Sequence, residues 1–145
     1  MYIGKVLEAT DQLSEALRRL IPQLGIHKDI PAHQDLKALL EAPGSTLLVA
    51  REPDKNGEIV GILSLTVYRV PTGVRSIIED VVVDETMRQR GIGEALVRQA
   101  IELARQAGAS GVALTSNPQR EAANQLYQSV GFELRKTNPY FYKLK

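Results

Sequence analysis

The sequence predicts a mixed α/β fold, a central sheet of six to seven strands flanked by about four helices, and three observations carry that reading. β-branched runs alternate with turn signals through residues 45–83. Leucine- and isoleucine-rich stretches at helical spacing stand on either side of them. Between residues 76 and 116 a strand, a helix and a second strand follow one another, the order that builds a parallel strand pair. With 145 residues the chain has the size of one ordinary domain and can bury a core, so a single domain over residues 1–145 is expected.

The element order reads β-α-α-β-β-β-α-β-α-β-β. Met1 to Ala9 opens as a strand with Tyr2, Ile3, Val6 and Leu7, and Thr10 or Asp11 can cap a helix whose apolar stripe is Leu13, Leu17, Leu20, Ile21 and Leu24. A second amphipathic stretch with Leu36, Leu39 and Leu40 ends at Ala42, because Pro43 and Gly44 cannot continue it. Thr46 to Arg51, Ile59 to Val70 and Val74 to Val83 are β-rich runs joined by Pro53–Gly57 and Pro71–Gly73, and so read as an antiparallel meander. From Ile92, the positions Leu96, Ala100, Leu103 and Ala107 mark a helix that Gly108 closes. Val112 to Thr115 reads as a strand buried on both sides. Asn117 as N-cap and Pro118 as first residue launch a last helix with Ala123, Leu126, Tyr127 and Val130 inward and Gly131 as its stop. Phe132 to Arg135 and Tyr140 to Leu144 read as final strands.

Eighteen basic residues face seventeen acidic ones, with no long basic run, which does not point to nucleic acid or to an anionic membrane. The absence of cysteine excludes disulfides, thiolate metal sites and a cysteine nucleophile. His27 and His33 lack a third ligand at metal-binding spacing, so no metal is expected. With no apolar leader and no apolar run of about 20 residues, the expected location is cytoplasmic.

Residues 76–97 carry the functional signal. A β-branched strand passes through a short basic turn with two glycines into an amphipathic helix. Gly91 and Gly93 let backbone approach a ligand closely, and their N–H groups, with those of Gln89, Arg90, Ile92 and Glu94, sit where the helix dipole is positive. A phosphate suits such a cradle. The dinucleotide fingerprint and the P-loop both fail here, since Leu96 stands where the third glycine would be and no Gly-Lys-Ser/Thr follows. If strands 74–84 and 111–116 are parallel neighbours that splay at their carboxyl ends, backbone groups of Val81 and Val83 lack partners, and an extended amide-bearing chain would supply them.

The element order, with Arg88-x-x-Gly91-x-Gly93 directly after Val81-Val82-Val83, resembles the GCN5-related N-acetyltransferase (GNAT) superfamily over essentially the whole chain. Asn117, the helix with Asn124 and Tyr127, and Val130-Gly131-Phe132 resemble that family's second signature. Asp84-Glu85-Thr86-Met87 departs from the proline and aromatic often found before the arginine. The resemblance implies the GNAT acyl-CoA acyltransferase fold and an N-acetyltransferase that moves the acetyl group of acetyl-CoA, its cosubstrate, to a primary amine. It implies that Arg88, Gln89, Arg90, Gly91, Ile92, Gly93 and Glu94 hold the pyrophosphate, that Val81, Val82 and Val83 pair with the pantetheine arm, and that a backbone N–H of Val82 or Val83 stabilises the oxyanion. Asn117, Asn124 and Tyr127 are further coenzyme-binding candidates. The implied acceptor is a small amine such as an aminoalkylphosphonate or an amino sugar. Protein lysines and N-termini are rival acceptors, and a non-catalytic acyl-CoA sensor is a rival of another class. A homodimer through the last strands is also compatible with the resemblance.

Two side chains are candidates for proton transfer. The Tyr127 phenol can protonate the departing thiolate; by periodicity alone it is a core aromatic. Glu79, taken to share a strand face with Val81 and Val83 in a half-buried cleft, is a candidate base, against the alternative of an exposed charge or salt bridge. Asn117 is most cheaply explained as a helix cap, with coenzyme contact a second role; Asn124, one turn before Tyr127, can bond the pantetheine or orient the phenol, against the alternative of a solvated helix position. The Tyr140-Phe141-Tyr142 cluster can line an acceptor cleft, though alternation alone would bury at least one ring.

Overall fold

Turn residues at 53–57 and 71–73 fold the middle of the chain back on itself twice, giving an antiparallel sheet in the order β1-β2-β3-β4. β1 is Tyr2–Lys5, β2 Ser45–Glu52, β3 Glu58–Val70 and β4 Gly73–Val83. The computed structural model describes residues 1–145, which divide into two units, Met1–Thr115 and Ser116–Lys145.

In the first unit, Thr10 caps α1 (Asp11–Leu24) by accepting the Leu13 N–H at 3.1 Å. Leu13, Leu17 and Leu20 of α1 and Leu36 of α2 (His33–Glu41) bury their stripe against Leu47, Val49, Ile59, Ile62 and Val82. Burying each such side chain contributes about 1.5–3 kcal/mol. The other face receives α3 (Ile92–Gln106) through Leu96, Val97 and Ala100, all fully buried. Gly61 makes this approach feasible, because a Cβ there would stand 3.2 Å from Leu96 Cδ1. A 3₁₀ turn at Glu85–Met87 links β4 to α3.

The sheet is smaller than the sequence suggests. Val112 to Leu114 is half-buried and Thr115 exposed, and the segment makes a single parallel bridge, Ile77 to Ala113, held by Ala113 N–H to Ser76 O at 3.0 Å and Ile78 N–H to Ala113 O at 2.9 Å. The second unit holds α4 (Glu121–Val130), ended by Gly131 at φ +120°. Phe132 to Arg135 and Tyr140 to Leu144 are not strands, which corrects the expected six to seven to four. Past Phe132 N–H, which donates to Tyr127 O, the tail takes no part in backbone hydrogen bonding. Leu134, Tyr140, Phe141, Tyr142 and Leu144 are 87–92% exposed, so no ring of the Tyr140–Tyr142 cluster is buried. β-propensity alone does not make a strand when no neighbouring edge receives it.

Candidate functional site

β4 supplies the first part of the site, and a bulge decides its geometry. Ser64 pairs with Glu79 and Ile62 with Val82, so Asp80 and Val81 together oppose Leu63. Asp80 takes φ +52° to allow this. The extra residue shifts the alternation. Glu79 therefore shares a face with Val82, the face covered by α1 and α2, and not with Val81 and Val83 as the uninterrupted pattern indicated. Glu79 is also exposed rather than half-buried.

Asp84 N–H donates to Val60 O at 2.8 Å, and antiparallel alternation from that rung turns the Val82 backbone groups toward Ile62. Those of Val81 and Val83 face the outer edge. Of the two N–H groups expected to serve an oxyanion, Val83 is thus available and Val82 is spent in the sheet. The parallel bridge ends at Ile78, so beyond it the outer edge of β4 is open within this unit. The second strand of the expected splayed pair is reduced to this one bridge, and past it no backbone hydrogen bond takes the outward groups of β4 that an extended amide chain would pair.

The turn after β4 supplies the second part. Gly91 is the N-cap of α3 at φ +79°, and no atom lies within 4 Å of where its Cβ would be. Ala95 N–H to Gly91 O at 3.0 Å is the first helical hydrogen bond, which leaves the Ile92, Gly93 and Glu94 N–H groups at the positive helix end without helical partners. Gln89, also left-handed at φ +64°, and Arg90 are exposed in front of them. Left-handed non-glycine residues are uncommon and concentrate at binding sites. Arg88 Nε donates to Val83 O at 3.0 Å, which bends the guanidinium back over the strand end and leaves its terminal nitrogens for an anion. An open edge, unpaired N–H groups, an uncovered glycine and two exposed arginines fit a pyrophosphate with an amide-bearing arm.

The second unit joins Asn117 to Asn124 and carries Tyr127 one helical turn further on. Asn117 is not the cap of α4: its Oδ1 accepts Gln119 N–H at 2.9 Å and its carbonyl accepts Arg120 N–H at 3.0 Å, forming an Asx turn ahead of a helix that starts at Glu121. Proline at 118 belongs to this turn rather than to the first helical position. Asn124 is half-buried and makes no hydrogen bond to the phenol. Its Nδ2 donates to Asn117 O at 2.9 Å and Arg120 O at 2.8 Å, tying turn to helix. Tyr127 is buried, edge-on to Phe132 at 5.9 Å. Burial raises its pKa above the ordinary 10.0, against a smaller opposing pull from Arg120, so the phenol holds its proton at neutral pH. That is the state an acid needs.

One pair escaped the sequence. Asp84, in the stretch that departs from the family pattern, is largely buried and salt-bridged to Arg19 at 2.8 Å. Nothing at the spacing of residues 19 and 84 signals a contact between them. No group of three His, Asp or Glu side chains comes together as a metal site would require, and no helix is long and apolar enough to cross a membrane.

The model of the acetyltransferase (GNAT) family matches residues 11–132. A probable glucosamine 6-phosphate N-acetyltransferase 2 from rice is 34% identical over 136 residues, covering 87% of this chain and 78% of that protein. Human N-acetyltransferase 8 is 34% identical over 108 residues, 73% of this chain and 45% of its own length. The rat N-acetyltransferase family 8 member 3 is 35% identical over 91 residues, 61% of this chain and 39% of that one. The chain thus spans less than half the length of these mammalian relatives. A putative acetyltransferase from Agrobacterium tumefaciens superposes with a TM-score of 0.83 at 27% identity, covering 99% and 100% of the two chains. An aminoglycoside acetyltransferase from an uncultured soil metagenomic sample gives 0.83 at 22% identity, covering 99% and 96%, which is likeness of fold. By motif, by sequence and by fold, the chain belongs to the acetyltransferase (GNAT) family.

Proposed function

We propose that residues 1–145 act as one N-acetyltransferase domain that transfers the acetyl group of acetyl-CoA to the primary amine of a small molecule, amino sugars first among the acceptors. The observation that carries this is the continuity of the open β4 edge with the glycine-opened start of α3. The Val81 backbone and the second lone pair of Val83 O, the first being taken by Arg88 Nε, pair the pantetheine amides and leave Val83 N–H free; N–H groups from Gln89 to Glu94, with the Arg88 and Arg90 guanidiniums, hold the pyrophosphate. Asn117 and Asn124 serve the coenzyme indirectly, by building the turn that precedes α4. The rice relative's name supports the amino-sugar class.

Bound in this way, acetyl-CoA supplies a thioester carbonyl for direct attack by the amine, with no covalent enzyme intermediate. Glu79, on the α1/α2 face, takes the proton of the incoming ammonium directly or through water. Val83 N–H donates to the carbonyl oxygen as it gains charge, a contribution of several kcal/mol in a water-poor site. Tyr127 gives its proton to the sulfur as the carbon–sulfur bond breaks, and recovers one from the acetylated nitrogen. Protein lysine or N-terminal acceptors, and a sensor that binds acyl-CoA without turnover, remain the rivals that experiment decides between.

Two further readings belong here. The location is cytoplasmic. The chain is a homodimer in which the tails from Phe132 to Leu144 pair with a second copy, supported by five large apolar side chains at 87–92% exposure. The test of function is thiol release from acetyl-CoA across a panel of amino sugars, aminoalkylphosphonates, polyamines, amino acids and lysine peptides. Turnover with the sugars is expected. Turnover confined to peptides would move the acceptor class, and coenzyme binding without turnover on any amine would favour the sensor.

A further inference from the structure

The connection from Asp84 to Arg90 carries the cradle yet has almost no apolar anchor. Glu85, Thr86, Arg88, Gln89 and Arg90 are exposed and Met87 is only half-buried. β3 fixes the strand before it and the core fixes the helix after it. What fixes the connection itself is polar, and most of it comes from α1.

Arg19 Nη1 donates to Asp84 Oδ2 at 2.8 Å and Nη2 to Ile59 O at 3.0 Å, with Glu58 at 3.3 Å and Glu15 at 3.7 Å. Asp84 passes this hold onward. Its Oδ1 accepts the Thr86 N–H at 3.1 Å and hydroxyl at 3.0 Å, and its carbonyl accepts Met87 N–H at 2.8 Å, so it shapes the 3₁₀ turn. One turn along α1, Gln23 Oε1 accepts the Glu85 N–H at 2.8 Å while its Nε2 donates to Arg19 O at 3.2 Å. Two adjacent residues of the connection are therefore tied to one helix by charge-assisted and neutral hydrogen bonds.

We propose that Arg19 is a positioning residue for the coenzyme's pyrophosphate, acting through Asp84 to set where the N–H groups of Gln89 to Glu94 stand, with Gln23 as a second, weaker tether. This rests on the coenzyme reading above. Removing Arg19 frees the connection to shift without touching any residue that meets ligand, and a misplacement on the order of 1 Å is costly to a preorganised site. α1 also covers the face of the sheet that bears Glu79, so the same clamp ties that face to the cradle.

The test compares two donors, acetyl-CoA and S-acetylpantetheine, which carries the same thioester arm but no pyrophosphate. Arg19→Met should lower the ratio of kcat/KM for acetyl-CoA to that for S-acetylpantetheine about tenfold, chiefly through the KM for acetyl-CoA. Arg19→Lys should recover part of the ratio, because it keeps the charge but not the two-pronged grip. Gln23→Ala should show a smaller loss in the same direction, and it carries the test if Arg19→Met, which leaves Asp84 unpaired, does not fold. An unchanged ratio in folded Arg19→Met, or in Gln23→Ala where only that variant folds, overturns the proposal and leaves the coenzyme reading standing. A wild-type enzyme that does not favour acetyl-CoA over S-acetylpantetheine overturns the pyrophosphate assignment and this proposal with it.

Discussion

Gly91→Ala isolates the contribution of cradle geometry, because the structure offers its control. Gly91 and Gly108 sit at φ +79° and +81° at opposite ends of α3, and a Cβ at either position would meet nothing within 4 Å. Neither substitution creates a clash, so each pays only for holding alanine in the left-handed region, about 1–2 kcal/mol, less up to about 1 kcal/mol regained from a stiffer unfolded chain. For a chain of this size the net cost, at most about 2 kcal/mol, lowers Tm by up to roughly 8 °C, nearly equally in the two variants. The functional outcomes should differ. At Gly91 the backbone can relieve strain only by turning the peptides whose N–H groups face the anion; losing about 1.4 kcal/mol of binding there raises the KM for acetyl-CoA about tenfold. At Gly108 the same relaxation occurs a helix length away, and KM stays put. Calorimetry gives the Tm values and steady-state thiol release gives KM. Equal KM values for the two variants, whether both raised or both unchanged, would refute the assignment of residues 89–94 to the coenzyme.

Tyr127→Phe should lower kcat by about 10²- to 10⁴-fold with the KM for acetyl-CoA unchanged, and undiminished turnover would remove the acid role. Glu79→Gln should depress activity most at neutral pH and recover it at high pH, where the amine is already free; a loss that is flat with pH would leave Glu79 an exposed strand charge. Asp84 predicts an acid limit. Burial raises its pKa, but the hydrogen bonds from Thr86 and the charge of Arg19 outweigh that and hold it below the ordinary 3.8. Its stabilisation is therefore complete above that value and is lost as pH falls below it through the native pKa. Thermal melts should show Asp84→Asn less stable than wild type at pH 7, the gap closing toward pH 2; a constant gap would show that the ion pair stabilises nothing. Removing residues 140–145 should convert a dimer to a monomer by light scattering, and a wild-type monomer at micromolar concentration would end the pairing reading.

The helices were legible because each states its face in its own sequence. Leu13, Leu17 and Leu20 repeat at the period of one face and Thr10 announces the start, so α1 needs no tertiary information. The meander was legible for a similar reason, its turns being marked by Pro and Gly and its strands by β-branched residues. Segments whose structure depends on a partner behaved differently. Phe132 to Arg135 has the composition of a strand, yet a strand is a relation between two edges and composition describes only one of them.

The site divides along the same line. The proposed cradle is backbone chemistry, and backbone chemistry shows in sequence through glycine, which is why Gly91 and Gly93 draw attention to the start of α3. Glu79 was placed on the wrong face because alternation extrapolates only until a residue is inserted, and nothing in Ile78-Glu79-Asp80-Val81 says that two residues will oppose one. Aspartate tolerates the left-handed region better than most residues, which is a hint but not a forecast. The bulge has a consequence beyond the misplacement. By shifting the register it puts a carboxylate on the α1/α2 face while Val81 and Val83 keep their backbone groups at the open edge. A regular strand would carry Glu79, Val81 and Val83 on one face; one left-handed aspartate moves Glu79 to the face of Val82 instead.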